Sequence, residues 1–241
     1  IEALRQRFGF EKVHLVGGSW GSTLPLITAI NHPENIASMQ LWSYWPADKR
    51  STLQIFEDHT EESEFPESCK QVWGELMQLV PEEKRNDPQA VLDFFTSEEG
   101  IYNPDPKAAL DFARAYLLYE YTLCQPPYLR DDPERGLERL REEIYGSPNT
   151  LSAARIELTY MKNGVFIEEG FIMDNVDKIK DIPVTIVQGK YDWCTPTNRA
   201  LEFQEAYGKP CVEEVEAGHL RYDPKLKEAV MRNIANAPRT K

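Results

Sequence analysis

The chain has 241 residues, 41% of them hydrophobic and 28% charged, a balance that supports one large core or a core with an insertion. Its formal net charge of −13 argues against nucleic acid and anionic membrane as partners, since both want Lys/Arg surfaces, and it favours cationic ligands. No apolar run is long enough to span a bilayer. The cysteines, Cys69, Cys124, Cys194 and Cys211, form no C-x-x-C and have no histidine nearby in sequence, which argues against a metal site or a disulfide framework and points to a reducing cytoplasm.

The chain opens at Ile1 inside a helical pattern, "IEALRQRFG", with Gly9 as its C-cap, so part of the natural N-terminus is expected to precede it. "KVHLVGG" reads as a short buried strand. Ser19 to Asn31 reads as an apolar helix that stops before His32-Pro33, because proline disfavours helix in the residue before it. "IASMQLWSYW" reads as another strand. Strand, turn, helix and strand in that order predict an α/β fold with a mainly parallel sheet.

From Pro46 the pattern becomes charged, helical and interrupted by prolines, with a strong amphipathic helix in "DPKAALDFARAYLLYEYTL" and another in "DDPERGLERLREEIYG". Alternating α/β character returns with the strand "IPVTIVQG", the helix "TNRALEFQEAYG", the strand and turn "PCVEEVEAGH" and the helix "DPKLKEAVMRNIAN". The expected organisation is a core segment 1–45, a helical cap 46–172 and a returning core segment 173–241, with "APRTK" as a frayed tail.

Gly17-Gly18-Ser19-Trp20-Gly21 matches G-x-S-x-G, between a strand and a helix. Two readings are open on the pentapeptide alone. One is a glycine-rich turn in which Ser19 caps the helix. The other is a nucleophile elbow, in which small residues two before and two after the serine keep strand and helix from colliding. In the second, the helix N-terminus stabilises developing negative charge, with the backbone N–H of Trp20 as first oxyanion donor.

A nucleophilic serine needs a base, and the base needs an orienting acid. His14 lies in a strand, His32 beside a proline and His59 in the charged insertion, whereas His219, in "EAGHLRYDP", follows the last strand. Asp192, in "VQGKYDW", also follows a strand. A surface histidine and a turn aspartate are the bland alternatives. The order Ser19, Asp192, His219, each at a strand's C-terminal end, is that of the α/β-hydrolases.

"GGSWGSTL", "HPE", "IPVTIVQGKYDW" and "AGH" together resemble the proline iminopeptidases, α/β-hydrolases with an inserted helical cap. "FPESCKQVWGELMQLVPEEKRND" and "AARIELTYMKNGVFIEEGF" are similar to stretches of their cap, so the resemblance runs along nearly the whole chain. It implies Ser19 as nucleophile, His219 as general base and acid, and Asp192 as orienting carboxylate. It also implies that Glu120, in "LLYEYTLC", and Glu157, in "ARIELTY", hold the free imino group of a substrate's first proline. On the residues alone Glu120 reads as a helix-face charge and Glu157 as a solvated one, although Glu120 stands among Leu117, Leu118, Tyr119 and Tyr121, where a carboxylate wants a partner.

Three departures accompany the resemblance. The family's H-G-G-P-G-like oxyanion loop and its early strands would lie upstream of Ile1, so the sheet read here is expected to lack its N-terminal strands. Trp42 stands where the family tends to carry arginine, with Trp45 at an aromatic position, which bears on pocket specificity. "IELTYMKNGVF" lacks the asparagine and histidine that follow the glutamate in the family.

The expected function is that of a serine exopeptidase releasing an N-terminal proline from peptides through a prolyl-enzyme ester, with no cofactor and no metal. The alternatives are an α/β-hydrolase esterase or amidase of other specificity, and a truncated non-catalytic fragment. Epoxide hydrolases and dehalogenases normally place aspartate at the elbow, and Ser19 argues against them.

Overall fold

The computed structural model describes residues 1–238; positions 239–241 of the tail read above as frayed lie outside the described residues. In chain order the elements are α1 (Glu2–Phe8), β1 (Val13–Ser19), α2 (Trp20–Asn31), β2 (Ile36–Tyr44), α3 (Lys49–Leu53), α4 (Glu67–Leu79), α5 (Pro88–Phe95), α6 (Pro106–Leu123), α7 (Pro127–Asp131), α8 (Pro133–Gly146), α9 (Thr150–Lys162), α10 (Phe171–Asp174), β3 (Val184–Gly189), α11 (Thr197–Tyr207), β4 (Val212–Val215) and α12 (Pro224–Ala235).

One local device recurs. Asp87-Pro88, Asp105-Pro106, Asp132-Pro133 and Asp223-Pro224 open α5, α6, α8 and α12, and each aspartate accepts a backbone N–H of the first turn. The carboxylate satisfies a donor that the helix cannot, and proline fits the first turn because its missing N–H is not needed there. At the other end of α1, Gly9 adopts φ 70° and closes the helix, a backbone conformation that side chains resist.

The chain forms two compact units, residues 1–48 with 169–241, and residues 49–168. The first holds a parallel sheet in the order β1-β2-β3-β4. Leu15, Met39, Leu41 and Ile186 bury one face with Leu26 of α2 and Phe203 of α11. Val187 on the other face packs with Leu226, Ala229 and Val230 of α12. Helices on both faces are what a parallel sheet requires. Each fully buried Leu, Ile or Phe stabilises the unit by about 1.5–3 kcal/mol over its exposed state.

The second unit is helical, with α4, α8 and α9 packed on α6. Tyr116 and Tyr119 of α6 are fully buried, the first stacked on Phe56 at 6.0 Å and the second against Trp73 at 5.1 Å. All the cysteines are buried thiols. Among the described residues, no helix is long and apolar enough to cross a membrane.

Candidate active site

All the strands run parallel, so their C-terminal ends share one edge of the sheet. Ser19 is the last residue of β1 and pairs in register with Tyr44 at the end of β2. Its backbone has φ 56° and ψ −132°, a conformation that costs a non-glycine residue on the order of 1–3 kcal/mol. It caps α2 with no side-chain hydrogen bond to the helix, which leaves the plain capping-turn reading without its defining bond. Trp20 is the first residue of α2, where N–H groups point along the helix axis away from its body.

Close packing shapes the elbow, though not at all the positions expected. A Cβ on Gly17 would stand 1.7 Å from the Gly21 carbonyl oxygen. Proline at position 25 lacks the N–H that would bond this carbonyl within α2, so the oxygen is left to lie against the strand. A Cβ on Gly18 would stand 1.9 Å from the Trp42 ring. A Cβ on Gly21 would meet nothing within 4 Å, so the glycine two after the serine does not serve the steric role expected of it. The residue immediately before the serine is tight for another reason, making room for the Trp42 ring of the neighbouring strand.

Trp42 accordingly packs beneath the elbow, beside the α12 core. Trp45 is buried and meets Trp20 edge-on, with ring centroids 5.8 Å apart. Trp45 N–H donates to Ser22 Oγ at 3.1 Å, and Ser22 Oγ–H donates to the Ser19 carbonyl at 2.7 Å. Thr23 Oγ1 donates to the Trp45 carbonyl at 2.7 Å. The turn after β2 is thereby bonded to the backbone of the elbow.

Asp192 and His219 meet directly. His219 Nδ1 lies 2.8 Å from Asp192 Oδ2, and the Asp192 side chain has no exposed surface. A carboxylate only accepts, so Nδ1 carries the proton and Nε2 is left as the basic nitrogen. The Asp192 loop turns on its own bonds: Asp192 N–H donates to the Gly189 carbonyl at 3.2 Å, and Thr195 N–H donates to Asp192 Oδ1 at 2.8 Å. Thr195 Oγ1 donates to Asp192 Oδ2 at 2.8 Å.

Two further anchors hold the histidine loop. Ser43 Oγ, at the end of β2, donates to the His219 carbonyl at 3.1 Å. Asp223 Oδ2 accepts the Gly218 N–H at 3.1 Å while its other oxygen caps α12. Gln188 links the neighbouring strands: its Oε1 accepts the Tyr44 N–H at 3.1 Å, and its Nε2 donates to the Thr195 carbonyl.

Ser22, Ser43, Gln188, Thr195 and Asp223 are therefore parts of the site that lie outside its sequence motifs. Only two carry a sequence signal. Thr195 lies three residues after Asp192, the spacing of a side-chain-to-backbone turn, and Asp223 precedes a proline at a helix start.

The two glutamates lie in the helical unit, both half-buried, Glu120 on α6 and Glu157 on α9. Tyr116 hydroxyl donates to Glu157 Oε1 at 2.7 Å, and Tyr116 stands one turn before Glu120 on α6. Cys124 Sγ lies 3.6 Å from Glu120 Oε1. The odd placement of Glu120 among apolar and aromatic neighbours thus comes with polar contact, as burial of a carboxylate requires.

Residues 1–225 match a sequence family described as alpha/beta hydrolase fold. The proline iminopeptidase of Neisseria gonorrhoeae is 31% identical over 236 residues, covering 97% of this chain and 69% of that protein. The proline iminopeptidase of Arabidopsis thaliana is 30% identical over 226 residues, covering 93% of this chain and 55% of that protein. Among solved structures, MGS-M2, an alpha/beta hydrolase enzyme from a Medee basin deep-sea metagenome library, superposes with a TM-score of 0.56 at 15% identity, covering 100% of this chain and 70% of that one. At that identity the likeness concerns the fold.

Proposed function

Since the chain belongs to the proline iminopeptidases, within the α/β-hydrolases, we propose that it takes part in releasing N-terminal proline from peptides by serine catalysis. The observation that carries the reading is the buried Asp192–His219 pair at 2.8 Å, held at the same sheet edge as the strained Ser19.

In this reading Asp192 fixes the imidazole with Nε2 as the base. Nε2 takes the Ser19 Oγ proton as Oγ attacks the carbonyl carbon of the first residue. The carbonyl becomes a tetrahedral oxyanion, with the Trp20 N–H as one donor. The oxyanion collapses, the C–N bond breaks, and the imidazolium returns the proton to the leaving amine. A prolyl ester on Ser19 remains. Water attacks the ester with Nε2 again as base, and proline leaves as Ser19 recovers its proton. The chemistry asks for no cofactor.

We assign Glu120 and Glu157 to the substrate's protonated imino group, a cation with two N–H donors that two carboxylates can share. The Tyr116 bond to Glu157 supports a fixed orientation for one of them. Specificity for a free N-terminus follows, because a blocked nitrogen would leave those carboxylates without their cation.

The test is hydrolysis of a proline arylamide beside its N-blocked counterpart, by the protein at its natural full length. The reading expects turnover of the free-amine substrate only, and its loss in Ser19→Ala. Equal turnover of the blocked substrate would return Glu120 and Glu157 to ordinary helix charges and favour an esterase or amidase. Full activity in Ser19→Ala would remove the serine mechanism itself.

A further inference from the structure

Thr195 stands where the acid and the base meet. Its Oγ1 donates to Asp192 Oδ2 at 2.8 Å and lies 3.3 Å from His219 Nδ1. A hydroxyl has one proton to give and two lone pairs to receive with. With its proton committed to Asp192 Oδ2, the oxygen presents a lone pair to the Nδ1–H, which also points at Oδ2. The three polar atoms close a small triangle: carboxylate oxygen, hydroxyl oxygen and imidazole nitrogen. A ring that rotates away from Oδ2 also leaves Oγ1, so the hydroxyl narrows the orientations in which Nδ1 stays bonded.

The rest of the loop is built to keep that hydroxyl in place. Thr195 N–H is bonded to Asp192 Oδ1, so both carboxylate oxygens are tied to the same residue. Gln188 Nε2 donates to the Thr195 carbonyl and lies 3.4 Å from Asp192 Oδ2. Gln188 Oε1 accepts from Tyr44 N–H, and Tyr44 is the register partner of Ser19. Thr195, Gln188 and Asp192 are all buried, at 3%, 0% and 4% exposure, so water does not compete for these bonds. A chain of hydrogen bonds therefore runs from the strand pair that ends at Ser19, through Gln188 and Thr195, to the Asp192–His219 contact.

We infer that Thr195 is a positioning residue for this reaction: its hydroxyl locks the Asp192 carboxylate and the His219 imidazole in one mutual orientation, and Gln188 sets the backbone from which it does so. The inference rests on the serine reading proposed above. Thr195 touches neither the nucleophile nor, in that reading, the substrate, so its removal should slow the chemical step and leave binding alone.

The variants are Thr195→Val, which keeps the shape and removes the hydroxyl, and Thr195→Ser, which keeps the hydroxyl and removes a methyl. Both are measured on a free-amine proline arylamide in the protein at its natural full length, beside Ser19→Ala. The expected result is a fall in kcat on the order of ten- to a hundredfold for Thr195→Val, the range for losing a buried hydrogen bond to a charged group, with KM within about twofold. Thr195→Ser should recover most of that kcat. A merely structural role would follow the missing methyl and leave Thr195→Ser the weaker enzyme. If Thr195→Val does not fold, Thr195→Ala against Thr195→Ser reads the same difference.

The inference is overturned if the valine or alanine variant keeps wild-type kcat while Ser19→Ala is inactive, and the serine reading then stands without it. It is also overturned if serine fails to rescue. Activity retained in Ser19→Ala would instead sink the serine reading, and the positioning role with it.

Discussion

The backbone of Gly189, at the end of β3, passes so close to Gly218 that a Cβ on it would stand 2.3 Å from the Gly218 carbonyl oxygen and 2.6 Å from that of Ala217. The same approach lets Tyr191 N–H donate to the Ala217 carbonyl at 2.9 Å. The loop that carries Asp192 and the loop that carries His219 are thus pressed together through a position where only glycine fits.

Gly189→Ala should push the histidine loop away from the acid. The clash is with backbone, which cannot swing aside as a side-chain end can. We expect destabilisation of about 1–3 kcal/mol, as overpacking usually costs, and a loss of arylamide hydrolysis larger than the loss of folded protein accounts for. Denaturant unfolding and kcat on the same preparation separate the two effects. Wild-type values of both would show that the loops do not depend on this approach.

The glycines of the elbow should behave unequally. Gly17→Ala meets the Gly21 carbonyl at 1.7 Å and should destabilise strongly. Gly18→Ala meets the Trp42 ring at 1.9 Å and should cost about 1–3 kcal/mol, part of it recovered by shrinking Trp42 in the same chain. Gly21→Ala meets nothing within 4 Å and sits in a helix, so it should be tolerated and raise stability by up to about 1 kcal/mol. Thermal unfolding of the three single variants and the double variant checks the order. A Gly21→Ala protein as damaged as Gly17→Ala would contradict the geometry.

Asp192→Asn keeps the shape of the acid and changes its chemistry. The amide can present its NH2 to Nδ1, which then loses its proton to Nε2 and leaves the imidazole in the wrong tautomer. In the serine-protease template the equivalent change costs on the order of 10⁴ in kcat. A loss of that order, with folding intact by circular dichroism, is expected here. A loss below about tenfold would mean that His219 does not depend on Asp192 for its tautomer.

Alkali should unfold the protein through its buried thiols and phenols. Burial pushes the Cys69 and Cys211 thiols up to about 12, and burial raises Tyr44 and Tyr207 as well. A group whose folded pKa is raised keeps its stabilising contribution below the unfolded value and loses it as pH climbs toward the folded value. For the thiols that window runs from the ordinary value of 9.0 to about 12. The thiols should leave the melting temperature unchanged from neutral pH up to the window and lower it steadily through it, and Cys69→Ala with Cys211→Ala should soften the fall. An equally steep fall in that double variant would assign the alkaline transition to other groups.

The sequence by itself determined the local elements and the identity of the reactive side chains. Aspartate-proline pairs start helices because a carboxylate and a fixed φ act within one turn, so Asp87, Asp105, Asp132 and Asp223 are legible where they stand. Ser19 between glycines, at a strand-to-helix junction, is legible for the same reason, as is the order of Asp192 and His219 after later strands. Tertiary structure alone decided what surrounds them. Gln188 became a link between strands because parallel register sets Tyr44 beside it, and Ser43 became an anchor because the histidine loop, 176 positions further on, folds over β2. Gly18, rather than Gly21, joined Gly17 as a tight position because Trp42 of the neighbouring strand packs beneath it. Contacts of that range follow strand register and loop packing, which depend on the whole core, so no window of sequence contains them.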